Sequence, residues 1–234
     1  MKRVCSMVAG LMLWMNSPYA FAQEPTPRPM NAPTKIALPV SLDSVPKVTR
    51  EAIDKVMQSP TISAIAPVEE FISSGTTYLW LLDNPNRVSL AWQRLNVGAV
   101  EIQAAKNGAF NWKDELGSEL TWQTVAKSGE GRVWYAEGKV KPGQLIPTVP
   151  VKAVAILRHG IRKNDDGEPM IRHQVEVFLQ TDSKAASVVT KMLGPAVPKM
   201  AEQGAEQLLL FFSGIARYVD RHPTKADVLL AEKK

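Results

Sequence analysis

The fold of this chain is decided by residues 150–180, PVKAVAILRHGIRKNDDGEPMIRHQVEVFLQ. Apolar and polar side chains alternate on both sides of an Asn-Asp-Asp-Gly sequence at 164–167, and a period of two is typical of β-strands. Asparagine and aspartate bond their own backbone, and glycine supplies the positive φ that a tight turn requires. We therefore predict a long β-hairpin with a three-residue loop at 165–167.

The turn also predicts which residues face each other. With Asn164 opposite Glu168, His159 lies opposite His173. A slip of one residue would turn one strand over and destroy this match, so the hydrophobic pattern supports the register. Besides the two histidines, one face then carries only apolar pairs, which are Ile161–Ile171, Leu157–Val175 and Ala155–Val177. The opposite face is predicted to be solvated, with Arg158, Arg162, Arg172, Gln174 and Glu176.

The paired His159 and His173 admit three interpretations. Two neutral imidazoles at the end of a sheet can be packing residues that hydrogen-bond to each other, to the backbone or to water. They can also form the polar end of a ligand cavity. A metal site is not predicted, because zinc sites use three or four protein ligands and the hairpin offers two.

Composition describes an ordinary globular chain. Its 234 residues are enough for one domain with a sizeable core, and 45% hydrophobic with 22% charged residues are typical values. The net charge is +5, of which two charges belong to Lys2 and Arg3 near the N-terminus. The remaining excess is small and mixed along the chain, which argues against a nucleic-acid partner.

The first 22 residues have the features of a secretory signal peptide. Lys2 and Arg3 precede an apolar run at 4–15, and an Ala-Phe-Ala cleavage sequence follows at 20–22. The run is short for a bilayer span, although an uncleaved anchor is the alternative interpretation. Cleavage would remove Cys5, the one cysteine, and would leave an exported periplasmic or extracellular protein without disulfide, thiol catalysis or cysteine metal ligands.

Five segments follow from this pattern along the chain. Residues 23–46 hold six prolines and little periodicity, so we predict a disordered leader after the signal segment at 1–22. A short helical lead-in at 47–59, one domain at 60–223 and a charged, frayed tail at 224–234 complete the prediction. The domain is predicted to hold a strand at 61–66, helices at 68–73, 76–82, 86–95 and 184–193, and strands at 97–105, 109–114, 119–126 and 132–140.

A long amphipathic helix is predicted to end the domain, from about residue 197 to 221. Its apolar residues recur at spacings of three and four, and the apolar face of the hairpin is the obvious surface to bury them. A cavity between the two would be lined by Leu157, His159, Ile161, Ile171, His173 and Val175 from the hairpin and by Leu208, Phe211, Phe212 and Ile215 from the helix.

This order of elements resembles the START-like superfamily, also called SRPBCC or Bet v 1-like. The resemblance covers about residues 60–222 and rests on topology. It implies an α+β helix-grip fold, in which a curved antiparallel sheet of about six strands wraps a long C-terminal helix. It also implies a cavity between sheet and helix, and no common catalytic motif comes with it.

Two stretches, WYAEGKVKPG at 134–143 and RHQVEVFLQTDSK at 172–184, look like parts of uncharacterised exported planctomycete proteins. That resemblance implies no activity. The chain also lacks G-x-S-x-G, H-E-x-x-H, P-loop and G-x-G-x-x-G sequences, and no cofactor is predicted.

Three functions remain open from the sequence. The first is an exported binding protein that holds a lipid or another apolar small molecule between sheet and helix, with possible attachment to the cell envelope or a membrane surface. The second is an interaction or structural protein of the envelope whose helix fills the sheet and leaves no ligand space. The third is an enzyme on the same scaffold with His159 and His173 as acid and base, since histidine titrates near neutral pH.

We expect the exported protein to begin at Gln23. N-terminal sequencing of protein recovered outside the cytoplasm measures this directly. Recovery of an intact Met1 in the membrane fraction would instead identify the apolar run as an anchor.

Overall fold

A computed structural model describes residues 38–141, 144, 147–182 and 196–232. Within these ranges the chain forms five α-helices and eight β-strands. The helices are α1 (Lys47–Gln58), α2 (Gly75–Asp83), α3 (Pro85–Arg94), α4 (Ala196–Arg221) and α5 (Pro223–Leu230). The strands are β1 (Ile62–Ile65), β2 (Glu69–Ile72), β3 (Ile102–Ala104), β4 (Ala109–Lys113), β5 (Glu119–Lys127), β6 (Gly131–Val140), β7 (Val149–Lys163) and β8 (Pro169–Gln180).

All eight strands form a single antiparallel sheet. Its order is β1-β8-β7-β6-β5-β4-β3, and β2 continues the β1 edge along β8. Strands β3 to β8 therefore make the meander that the sequence predicts, and the long C-terminal helix packs against β1, β2 and β8. This confirms the α+β class and an arrangement of open sheet and long helix that is consistent with a helix grip.

The predicted hairpin register is confirmed at every pair. His159 faces His173, and the Ile161–Ile171, Leu157–Val175 and Ala155–Val177 pairs are all present. The Asn164 N–H donates to the Glu168 carbonyl, and Gly167 has a φ of 81°. The turn chemistry and the one-sided apolar pattern therefore agree, as a fixed register requires.

The helix predicted at 68–73 is wrong, because this segment forms β2. Phe71 lies opposite Ile171, and Glu69 lies opposite His173. The outer edge of β8 offers backbone N–H and C=O groups that pair with an extended segment. Local helix propensity is too weak to outweigh these hydrogen bonds. Pro67, between β1 and β2, lacks the N–H of an ordinary residue and interrupts the edge strand there.

Two smaller boundaries also differ from the prediction. The strand predicted at 97–105 contracts to β3, because Asn96 adopts a positive φ after α3 and the N–H of Val97 still donates to Trp92. Helix α3 begins at Pro85, one residue before the predicted start at 86, because proline is a favoured first helical residue. The helix predicted at 184–193 lies outside the described residues.

None of the five residues predicted on the solvated face of the hairpin is buried, since Arg162 and Arg172 are exposed and Arg158, Gln174 and Glu176 are half-buried. Helix α1 and residues 38–46 cover the middle of this outer face of the sheet and leave it open at the hairpin turn and around Lys152. Gly131 permits this close approach, since a Cβ there would lie 2.6 Å from Pro39. The buried residues of this outer layer are Leu42, Val45, Ile53, Val56, Val133, Tyr135, Val154, Ile156 and Phe178.

Both predicted ends of the domain are therefore corrected. The leader does not stay disordered to residue 46, because Leu42 and Val45 bury their side chains in the outer layer. The tail is not frayed from residue 224, because α5 buries Leu229 and Arg94 donates to the carbonyls of Val228, Leu229 and Ala231. These contacts are made by apolar residues that lie within charged or proline-rich sequence. A prediction from average composition therefore overlooks them.

The inner face carries the main core. Helix α4 buries Phe211, Phe212 and Ile215 there, and Trp134 stacks on Phe212 at 5.7 Å between ring centroids. Each fully buried aliphatic or aromatic side chain contributes about 1.5–3 kcal/mol. In the part of the chain that the structure describes, no helix is both long enough and apolar enough to cross a membrane.

Replacing Phe212 by aspartate is expected to unfold the domain. Phe212 is 2% exposed, so the variant would bury an unpaired carboxylate at a cost of several kcal/mol, comparable to the whole stability. Leu210→Asp is the matched control, because Leu210 lies on the same helix and is 51% exposed. Thermal melting should show loss of the transition for Phe212→Asp and little change for Leu210→Asp; similar melting of both would place Phe212 at the surface.

Candidate functional site

Six of the ten predicted cavity residues are almost completely buried. They are Leu157, Ile171, His173, Val175, Phe212 and Ile215, and each is at most 2% exposed. His159 and Phe211 are also buried, at 5% and 6%. The end of the sheet near the hairpin turn is therefore packed solid against α2 and α4.

The other two predicted residues are more open. Leu208 is half-buried beside the inner core, on the N-terminal half of α4. Ile161 is 46% exposed near the hairpin turn, where its side chain covers Gly75 at the start of α2. The structure therefore does not gather the ten residues around one cavity; it separates a closed end of the inner face from a more open one.

The closed end contains a row of polar side chains across three strands. His159, His173 and Glu69 are direct neighbours on β7, β8 and β2. His173 Nε2 lies 2.8 Å from Glu69 Oε2, and His173 Nδ1 lies 2.7 Å from the Tyr78 hydroxyl. A carboxylate only accepts, so Nε2 carries the hydrogen toward Glu69, and a neutral ring accepts the Tyr78 O–H at Nδ1.

Helix α4 joins this network through Glu69. The Ser213 hydroxyl donates to Glu69 Oε2 at 3.0 Å, and Arg217 forms an ion pair with Glu69 Oε1. Desolvation alone would raise the pKa of Glu69, but the hydrogen bond from His173 and the charge of Arg217 outweigh it and hold the pKa below its usual range. The network therefore fastens the C-terminal half of α4 to the sheet edge.

Tyr78 and His159 are unsuited to proton transfer with a substrate. Tyr78 is 0% exposed, and burial raises the pKa of its phenol far above the ordinary value. Desolvation, the nearby Arg132 and His173 lower the pKa of His159 to about 4. Neither ring nitrogen of His159 has a hydrogen-bond partner among the described residues, so His159 is a packing residue, whereas His173 is held by hydrogen bonds to Glu69 and Tyr78.

The open end of the inner face is crossed by a second row, which we call the apolar row. Register places its residues side by side on six neighbouring strands, and every one of them is half-buried rather than buried. At about 4.8 Å between strands, the row is roughly 24 Å long. Its residues are Ile62, Leu179, Ala153, Ala136, Trp122 and Phe110.

Aromatic rings lie at one end of the apolar row. Phe110 packs on Trp122 at 6.0 Å between centroids, and Trp122 packs on Trp134 at 5.9 Å. The small side chains of Ala136 and Ala153 leave space in the middle of the row. Sequence reasoning missed this row, because Trp122 and Ala136 lie on separate strands and only the sheet register pairs them.

A separate cleft of about 970 Å³ lies near β3 to β6 and shares no residue with the predicted cavity set. Its lining mixes charged and apolar side chains, and the charged ones include Glu101, Glu119 and Glu137. Glu119 is paired within the protein, with Lys113 at 2.7 Å and Lys139 at 3.2 Å. No group of three or more potential metal ligands occurs among the residues that the structure describes.

No family model and no curated protein matches this chain. Among solved structures, a conserved protein from Geobacillus kaustophilus is 11% identical with a TM-score of 0.45, covering 68% of this chain and 96% of its own. A hypothetical protein from Helicobacter pylori is 12% identical with a TM-score of 0.44, covering 80% and 100%. An uncharacterised protein from Rhizobium leguminosarum is 13% identical with a TM-score of 0.33, covering 65% and 97%. No functional property is transferred from them.

Acid is expected to destabilise the fold through His159. Its folded pKa of about 4 lies below the ordinary histidine pKa of 6.5, so stability is complete above pH 6.5 and falls as the pH drops toward 4. The full loss is about 3 kcal/mol, at about 1.4 kcal/mol per pKa unit. In melts between these pH values, His159→Leu should lessen the slope.

The control variant is His222→Leu, at an exposed histidine beside Tyr218. It should keep the wild-type slope. A His159→Leu slope equal to that of wild type would show that His159 is protonated as easily in the fold as in the unfolded chain.

Proposed function

We propose that this is an exported binding protein that holds a lipid or another apolar small molecule along the apolar row, beside the N-terminal half of α4. Kinship with the START-like superfamily belongs to the same proposal. The observation that supports it is the unbroken row of half-buried apolar side chains on six strands. Apolar lining with few polar groups is typical of small-molecule sites.

The distribution of packing along α4 favours this position. Glu69 binds Ser213 and Arg217, and Asp220 accepts from the Ser74 N–H at 2.7 Å, so the polar links concentrate in the C-terminal half of the helix. Leu208 and the residues before it include small or half-buried side chains, among them Ala201, Gly204 and Ala205. A ligand entering there would displace few specific contacts.

Apolar contact is enough to give such a site useful affinity. Removing apolar surface from water contributes about 25 cal/mol per Å², and the aromatic rings of Phe110 and Trp122 add large, rigid surfaces. The length of the apolar row also fits such a ligand. A row of roughly 24 Å across the strands suits an extended acyl chain better than a compact molecule.

An interaction protein without a ligand is the second candidate function. The solid packing of Leu157, Ile171, Val175 and Ile215 favours it, since a helix that fills the sheet along its whole length leaves no room for a small molecule. In that case the apolar row would be the edge of the core, and its exposed apolar surface would contact another component of the envelope.

Native mass spectrometry on protein purified from its own host tests the proposal. We expect an added mass from a bound lipid, which Ala153→Trp should abolish by filling the middle of the apolar row. Lys152→Trp is the matched control, because it introduces the same side chain on the next residue, which is exposed on the opposite face. A wild-type mass equal to the bare chain, together with no uptake of an added fatty-acid ester, would favour the interaction protein instead.

A further inference from the structure

Two indole N–H groups at the open end of the inner face are enclosed by the protein and have no hydrogen-bond partner among the described residues. They belong to Trp112 on β4 and Trp122 on β5. Trp122 is a member of the apolar row and faces Phe110, two residues before Trp112. The two indoles are therefore diagonal cross-strand neighbours on one face, with Cα atoms about 7–8 Å apart.

Elsewhere the fold satisfies its buried indoles. Trp134 donates to the Thr124 hydroxyl at 3.1 Å, and Trp92 donates to the Phe211 carbonyl at 2.9 Å. A buried donor without a partner is rare in folded proteins, because it loses its bond to water and gains nothing in return. On neighbouring strands beside the half-buried apolar row, these are two donors for which the described residues supply no acceptor.

We propose that the Trp112 and Trp122 N–H groups bind the carbonyl oxygen of the molecule held in the apolar row. This inference rests on the proposed function and specifies its ligand class: an apolar chain that carries an uncharged carbonyl group, as in an ester or a ketone. Indoles only donate, so they favour a ligand with an acceptor over a plain hydrocarbon and cannot bind an ammonium group. The acceptor must displace the atoms that now cover the two nitrogens.

The surroundings of Trp112 favour an uncharged acceptor over a carboxylate. Asp114, two residues further along, is 8% exposed, and its Oδ1 accepts from the backbone N–H groups of Leu116 and Ser118. A second negative charge near this buried carboxylate would be repelled more strongly than in water. A carbonyl oxygen carries enough partial charge for two hydrogen bonds without that repulsion.

The experiment compares three probes that share a chain length: methyl laurate, lauric acid and dodecane. Each is titrated into the full exported protein against a bound fluorescent apolar dye. We expect methyl laurate to bind about tenfold more tightly than dodecane, as one net hydrogen bond of about 1.4 kcal/mol predicts, and more tightly than lauric acid.

Substitution by phenylalanine separates the N–H group from the ring. The double variant Trp112→Phe with Trp122→Phe should still bind dodecane and should lose the preference for methyl laurate. Trp134→Phe is the matched control, because its N–H already has a partner within the protein, and it should keep the preference. A preference that survives in the double variant overturns the assignment to these two indoles.

A further measurement does not depend on the variants folding. The infrared carbonyl band of methyl laurate bound to wild-type protein should shift to the lower frequency of a hydrogen-bonded ester. An unshifted band, or equal binding of methyl laurate and dodecane, overturns this inference and leaves the apolar-ligand function standing. Tighter binding of lauric acid overturns the uncharged class, and binding of none of the probes overturns the proposed function as well.

Discussion

The register of the β7–β8 hairpin is the constraint on which the rest of the structure depends. Residues directly opposite each other share a face. The β7–β8 register and the pairings of β6, β5 and β4 therefore align the rows of the sheet, with one shift on β5 between Thr124 and Ala126. The same alignment puts His159 beside His173 at the closed end and Ala153 beside Leu179 at the open end. A slip of one residue would bury the arginines of β7 and β8 and expose both cores.

The contacts on the inner face differ between the two halves of α4. At the C-terminal half of the helix, Glu69 gathers His173, Ser213 and Arg217 into one network, and an ion pair with several hydrogen bonds has few alternative arrangements. In the N-terminal half, the small residues Gly204 and Ala205 are buried, so their contacts are apolar and less specific than those of the Glu69 network. The two halves of the helix therefore differ in how specifically they are held.

Local rules predicted the elements whose signals are strong, and failed where a neighbouring strand decided the outcome. The hairpin, the meander and the long helix follow from alternation, turn chemistry and periodicity, which need no knowledge of the partner. Glu69 and Phe71 look helical by sequence and became a strand, because the free edge of β8 satisfies their backbone. Tyr78 and Glu69 were missed as partners of His173, since both lie about a hundred residues away along the chain.

The sequence by itself determined the α+β class, the pairing of the two histidines and the apolar stripe of the last helix, because each depends on spacing within one element or one turn. Only the tertiary structure decided that His159 and His173 are sealed in a packed layer, and that Trp122, Ala136 and Ala153 lie in one row. Exposure and cross-strand rows depend on how separate elements meet, and that is set by the summed packing of the whole sheet against α1, α2 and α4 rather than by any local pattern.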